Sequence, residues 1–107
     1  MKLMKIIPAK AKAKKWTAYF MLDNGKEKAV SFGSRGMRDY TLLNDKNSNF
    51  YEPDKAKREK VKAAYRARHA QDKIDDPLSP GALSWHVLWD LPSFAGSIKK
   101  FKNKFKL

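Results

Sequence analysis

The chain has 107 residues, of which 24 are Lys or Arg and 11 are Asp or Glu, so its formal net charge is +13. It contains no cysteine, which excludes a disulfide-stapled fold and a thiolate metal cluster. Three Trp, four Tyr and six Phe are too many aromatic side chains for a wholly disordered chain. No apolar run approaches the ~18 residues that a membrane span requires. These totals predict one small, strongly basic, folded domain.

The first predicted elements are an N-terminal arm and a β-hairpin. Residues 9–15 alternate alanine with lysine and have no apolar face, so we expect a flexible basic arm over residues 1–15. Residues 16–22 are rich in β-forming side chains, and Asn24-Gly25 is a strong hairpin-turn signal. One small α+β domain is therefore expected over residues 16–107.

Three helical segments follow the hairpin. Residues 54–71 are rich in Ala, Lys and Arg without Gly or Pro, which predicts a helix of about four to five turns. Ser79-Pro80 is a typical helix start, and a short, largely buried helix is expected over residues 82–89. The predicted fold class is α+β, with a β-hairpin packed on one long helix and two shorter C-terminal helices. The last helix carries its apolar residues on one face, at Phe94, Ile98, Phe101 and Phe105.

Positive charge is concentrated at the two ends of the chain. Residues 1–15 contain six lysines and no acid, and residues 98–107 contain five lysines and no acid. Such a distribution favours a polyanionic partner: nucleic acid, an anionic membrane surface or an acidic face of a protein. The candidate residues for this contact are Lys10, Lys12, Lys14, Lys15, Arg35, Arg38, Lys62, Arg66, Arg68, Lys99, Lys100, Lys102 and Lys104.

The loop after the hairpin offers one candidate anion site. In residues 32–38, two glycines expose backbone N–H groups beside Arg35 and Arg38, whose guanidinium groups pair bidentately with phosphate or carboxylate. The spacing is not that of a nucleotide-binding loop. The alternative is a tight hairpin exit in which these arginines pair with Asp39 or Asp45. Asp39 can also cap a short turn over residues 40–43.

Two helices are also open to more than one interpretation. Lys62, Arg66 and His69 share one face of the long helix, which can follow a phosphate backbone, bind an acidic groove of a protein or remain a solvated surface. The apolar face of the last helix can insert into an anionic membrane or complete the core, and the shortness of the chain favours the core. No helix-turn-helix, zinc finger or RNA-binding aromatic motif is present, so base-specific recognition is not expected.

Catalysis and metal binding are not predicted. His69 and His86 lie 17 residues apart on different predicted helices, without a second ligand at metal spacing. We expect one surface or capping histidine and one packed histidine. No serine lies in a nucleophile-elbow context, and the acids at Asp72, Asp75 and Asp76 are typical of a solvated helix stop. The prediction is a non-enzymatic protein with no cofactor, no metal site and no small-molecule substrate.

Three segments resemble a known family of proteins. They are Phe32–Asp45 (FGSRGMRDYTLLND), Ala64–His69 (AYRARH) and Leu78–Phe94 (LSPGALSWHVLWDLPSF), with Ser97–Phe105 (SIKKFKNKF) after them. Their order is similar to that in small basic uncharacterised proteins encoded by nucleocytoplasmic large DNA viruses, of the phycodnavirus and mimivirus kind. Trp85 departs from the pattern, which has a basic residue there. The residues on the pattern are Phe32, Gly33, Gly36, Asp39, Tyr40, Thr41, Tyr65, Arg68, His69, Gly81, Leu83, Ser84, Leu88 and Trp89.

The resemblance implies a viral origin and leads to a functional expectation. We expect a non-enzymatic structural component of the virus particle, a minor capsid or cement-type protein, present in the host cytoplasm or nucleus during assembly. Its partners would be the major capsid protein or other virion proteins, with peripheral contact with the internal viral membrane. The alternatives are a sequence-nonspecific DNA-binding, genome-packaging protein and a small regulatory binder of a host protein. A groove joining Arg35, Arg38, Lys62 and Arg66 would favour DNA, and basic ends ordered along protein neighbours would favour the capsid role.

Overall fold

The computed structural model describes all 107 residues as a three-stranded antiparallel sheet followed by helices. The strands are β1 (Lys2–Pro8), β2 (Lys14–Met21) and β3 (Glu27–Ser34). The helices are α1 (Tyr40–Leu43), α2 (Lys55–His69), α3 (Pro80–Leu83) and α4 (Phe94–Phe105), with a π-helical turn at Ser84–Leu88. The predicted α+β class and its order of hairpin, long helix and shorter C-terminal helices are confirmed. None of the helices combines the length and the apolar character needed to cross a membrane.

The segment predicted to be a flexible arm is instead the edge strand β1. It pairs with β2 in antiparallel register from Lys2 opposite Met21 to Pro8 opposite Trp16. Leu3 is buried in the core and Ile6 packs against it, and the register shifts between them at a bulge. The prediction was wrong because the lysine-rich composition concealed Leu3 and Ile6, which the bulge brings to the core side of the strand.

The β-hairpin prediction is confirmed. β2 and β3 pair in antiparallel register, and Gly25 in the connecting turn adopts a φ of 81°. The side chain of Asn24 accepts a hydrogen bond from the backbone N–H of Lys26, which stabilises the turn. One face of the hairpin is buried by Ala18, Phe20, Val30 and Phe32.

The hydrophobic core lies between that sheet face and the C-terminal third of the chain. Its C-terminal members are Leu83, Val87, Leu88, Trp89 and Phe101. Phe101 is 1% exposed, and Phe94 stacks on Trp16 with ring centres 4.6 Å apart. The apolar face of α4 therefore completes the core, which confirms that interpretation over insertion into a membrane.

Candidate functional site

The basic face predicted on α2 is turned toward the rest of the protein. Lys62 Nζ donates a hydrogen bond to the main-chain oxygen of Asp90 at 2.6 Å. Arg66 donates from Nε to the Trp89 carbonyl oxygen and from Nη2 to Asp90 Oδ1, both at 3.1 Å. Its guanidinium group also lies 4.4 Å from the ring centre of Trp85. Both side chains are used to dock α2, so the prediction that they follow a phosphate backbone does not fit this arrangement.

Arg35 also has a structural role. Its Nε donates to the carbonyl oxygen of Lys14 at 3.0 Å, and its Nη2 donates to that of Ala9 at 2.9 Å. Its own backbone N–H donates to the Ala13 carbonyl oxygen. The predicted pairing of Arg35 with Asp39 or Asp45 is not formed, because the guanidinium fastens the β1–β2 turn. The lysines of that turn, Lys10 and Lys12, point to solvent.

Asp39 organises the chain where it leaves β3. Its carboxylate accepts hydrogen bonds from Lys15 Nζ at 2.7 Å, from the backbone N–H of Leu42 at 3.0 Å and from the Thr41 hydroxyl. The cap of α1 was expected from the sequence, but the pairing of Asp39 with Lys15 was not. The side chains of this ion pair are only 12% and 3% exposed, so it fixes β2 to the exit loop in a shielded environment.

A cleft of about 420 Å³ opens beside the buried ion pair. Its walls are the start of β2, the end of β3 with the loop that follows, the C-terminal half of α2 and the π-helical turn. Gly33 brings two of these walls together, because it has a φ of 78° and passes close to the Leu88 side chain. A Cβ at this position would stand 3.0 Å from Leu88 Cδ1, so glycine is required for the approach.

One wall of the cleft is a stack of three aromatic rings. Tyr65 stacks on Trp89 with ring centres 4.1 Å apart, and His69 stacks on the other side of Tyr65 at 4.2 Å. His69 Nδ1 is 2.9 Å from Asp72 Oδ2, which ties the end of α2 to the acidic turn. Burial raises the pKa of Tyr65 to about 12, so its phenol is neutral at physiological pH.

Lys14, Arg38 and Arg68 line the cleft without an ion-pair partner. In total, four Lys or Arg side chains and two Asp carboxylates line it, so its net charge is +2 with histidine neutral. The cleft therefore presents positive charge that the protein itself does not neutralise. The ion pairs of the molecule join Lys15 to Asp39, Arg66 and Lys100 to Asp90, His69 to Asp72, and the N-terminal amine to Asp23.

The remaining candidate lysines lie outside the cleft. Lys99 and Lys104 are exposed on α4, whereas Lys102 is half-buried. Lys100 pairs with Asp90 at 2.9 Å. Asp90 thus holds cations from both α2 and α4, a role that sequence reasoning missed. The sequence did contain one indication of this role, because Asp90 is the only charged residue in residues 79–97.

The two histidines are arranged as predicted, one near the surface and one packed. His86 Nε2 lies 2.8 Å from the carbonyl oxygen of Ile74, so this nitrogen carries a proton and donates it. The ring packs near Phe101 and Phe105, and burial lowers its pKa below the ordinary value. No three His, Asp or Glu side chains in the structure are grouped so as to hold a metal ion.

Comparison with known proteins adds a partial match. Residues 4–49 match a family of unknown function (DUF5754). This segment contains most of the sheet, the exit loop and α1, and therefore only one side of the cleft. No curated protein and no solved structure matches the chain.

Proposed function

We propose that this chain is a non-enzymatic structural component of a large DNA virus particle, a minor capsid or cement-type protein that binds acidic surfaces of its neighbours. The viral setting rests on the resemblance of residues 16–105 to proteins of nucleocytoplasmic large DNA viruses. The binding role rests on one observation: the cleft carries a net charge of +2 and includes three cations without a partner. A cleft with excess positive charge attracts carboxylate-rich surfaces.

The distribution of the other cations supports contact with more than one neighbour. Exposed lysines lie on the β1–β2 turn, on the outer surface of α2 and on α4. From Phe94, beside Trp16, to Phe105, α4 rises about 16 Å, so its lysines extend along the molecule. A surface that follows one duplex would instead align its cations in a single groove.

The four residues that were expected to form a DNA-binding groove do not form one. Arg35, Lys62 and Arg66 donate hydrogen bonds to main-chain carbonyl oxygens of this chain. Of the four, only Arg38 has no such partner. The basic ends are also part of the folded domain, as β1 and α4, so they do not extend as arms along neighbouring proteins. The proposed contact surface is therefore the folded domain itself.

The proposal is tested in intact particles of the virus that encodes the chain. A carbodiimide reagent joins lysines directly to carboxylates that they touch, and mass spectrometry identifies the joined peptides. We expect the lysines of residues 10–14 and 99–104 to be linked to Asp or Glu of a shell protein. We also expect the chain to stay with the shell when detergent and salt release the genome.

Two outcomes would contradict the proposal. If the chain leaves with the genome and dissociates steeply as salt rises, it is a DNA-binding protein. If it is absent from every particle fraction, it is not a virion component, and a regulatory role in the host cell becomes the better explanation.

A further inference from the structure

We infer that the cleft binds an acidic segment of a partner protein, with one carboxylate on Arg38 and a second on Arg68. This inference rests on the proposed function and adds the site and the chemistry of the ligand. A cleft of about 420 Å³ is in the range that encloses a small ligand, so it admits a short segment and not a whole surface.

The three partnerless cations are held in place by their neighbours in sequence. Lys14 precedes Lys15, and Arg38 precedes Asp39, the two members of the buried ion pair. Arg68 precedes His69, which is stacked on Tyr65 and paired with an acid. Each cation thus extends from backbone that is anchored at the next residue, so little backbone entropy is lost when a ligand binds.

The cleft floor strengthens electrostatic attraction. Leu88 and Trp89 are both buried below it, with exposures of 2% and 6%. Charges above an apolar floor are less screened by water than charges on an open helix face. An ion pair formed in the cleft should therefore contribute more to affinity than one formed by the exposed lysines of α2 or α4.

The donors in the cleft favour carboxylates over phosphate. A phosphate-binding loop directs successive backbone N–H groups at its ligand. Here the N–H groups of Arg35 and Met37 donate to the carbonyl oxygens of Ala13 and Ser34, so the loop does not form such a cradle. The guanidinium groups of Arg38 and Arg68 lie on separate walls of the cleft, and each matches the geometry of one carboxylate. Their combined charge balances two carboxylates.

The test is an NMR titration of the full chain at physiological salt. The ligand is a capped peptide containing two adjacent glutamates, and the same peptide with glutamines is its control. We expect the glutamate peptide to shift the amide signals of Arg38 and Arg68, and the glutamine peptide to leave them unchanged. The double variant R38A/R68A should bind about tenfold more weakly for each arginine removed.

A matched variant separates the cleft from general attraction. K57A/K60A removes the same charge from exposed positions on α2 outside the cleft, and it should change the affinity by less than about threefold. R38K/R68K keeps the charge but removes the planar forks, so it should also bind more weakly than the wild type. Both arginines are exposed, and circular dichroism checks that each variant is folded.

Each possible failure has a distinct meaning. Equal weakening in R38A/R68A and K57A/K60A would overturn the cleft as the site but leave binding to acidic surfaces in place. Inorganic phosphate that shifts the same signals and binds more tightly than the glutamate peptide would overturn the assignment to carboxylates. No peptide binding, together with carbodiimide links to a shell protein in particles, would refute this inference alone. The absence of carbodiimide links to any shell protein in particles would refute the proposed function.

Discussion

Helices α2 and α4 are both rich in lysine, but different contacts attach them to the protein. No residue of α2 is fully buried, and Lys62 and Arg66 dock it on main-chain oxygens of Trp89 and Asp90. In contrast, α4 buries Ser97 and Phe101. Apolar burial attaches α4, whereas cationic and aromatic contacts near the surface attach α2.

This difference has an energetic consequence. A hydrogen bond to a charged group contributes about 1.5–3 kcal/mol, and less where water competes, whereas a fully buried Phe contributes about 3–5 kcal/mol. We therefore expect α4 to unfold only with the whole domain and α2 to open at a lower free energy. Lys62 and Arg66, which dock α2, belong to the face that was predicted to bind DNA. Their charged groups therefore contribute to stability instead of being available to a ligand.

The largest expected effect comes from removing the aromatic anchor of α4. Phe101→Ala should lower the free energy of unfolding by about 3–5 kcal/mol, because it leaves a cavity in the hydrophobic core. Urea denaturation measures this loss. The control is Lys99→Ala at an exposed position of the same helix, whose free energy of unfolding should stay within ~0.5 kcal/mol of the wild type. A loss below about 1 kcal/mol for Phe101→Ala would show that α4 is not an integral part of the core.

A smaller effect is expected from the cation that docks α2. Arg66→Ala removes the hydrogen bonds to Trp89 and Asp90 and should cost about 1–3 kcal/mol. Lys100→Ala removes the other partner of Asp90, but its side chain is 57% exposed, so we expect a cost below about 1 kcal/mol. Amide hydrogen exchange should show faster opening of α2 in Arg66→Ala but not in Lys100→Ala. Equal costs for the two variants would contradict the docking role of Arg66.

The comparison of α2 with α4 also shows which parts of the fold could be predicted from the sequence. Elements set by local signals were predicted: the turn at Asn24-Gly25, the cap at Asp39 and the apolar face of α4. Each depends on residues close together in the chain, where spacing and side-chain chemistry decide the structure. β1 was missed because a lone strand has no local stabilisation and forms only by pairing with a later one.

The candidate site was predicted only in part. The arginines of the exit loop were recognised, but Arg38 and Arg35 were not distinguished, because Arg35 binds carbonyl groups more than 20 residues away. The direction of Arg66 similarly depends on Asp90, 24 residues further along the chain. Contacts of this kind depend on the tertiary fold, and no regular spacing of residues in the sequence indicates them.

Acidic pH should weaken the attachment of α4 by a modest amount. Burial lowers the pKa of His86 below its ordinary value of 6.5, so the unfolded chain takes up this proton first as pH falls. The contribution of neutral His86 is complete above pH 6.5 and is lost progressively below it. Thermal unfolding between about pH 7.5 and about pH 5.5 should show a falling midpoint that His86→Gln flattens. An unchanged slope in His86→Gln would mean that another group controls this range.

The last effect is confined to alkaline pH, where it acts on α2 and not on α4. Burial raises the pKa of Tyr65 from 10.0 to about 12, so between these values the unfolded chain loses the phenolic proton while the folded protein retains it. The stability that depends on neutral Tyr65 is therefore present below pH 10 and declines as pH rises toward 12. Tyr65→Phe keeps the ring on Trp89 and cannot ionise, so its unfolding midpoint should fall less steeply with pH. Ultraviolet titration of tyrosinate should lose its step near pH 12 in this variant. If that step remains, another tyrosine accounts for it, and the stack on Trp89 does not bury the phenol of Tyr65.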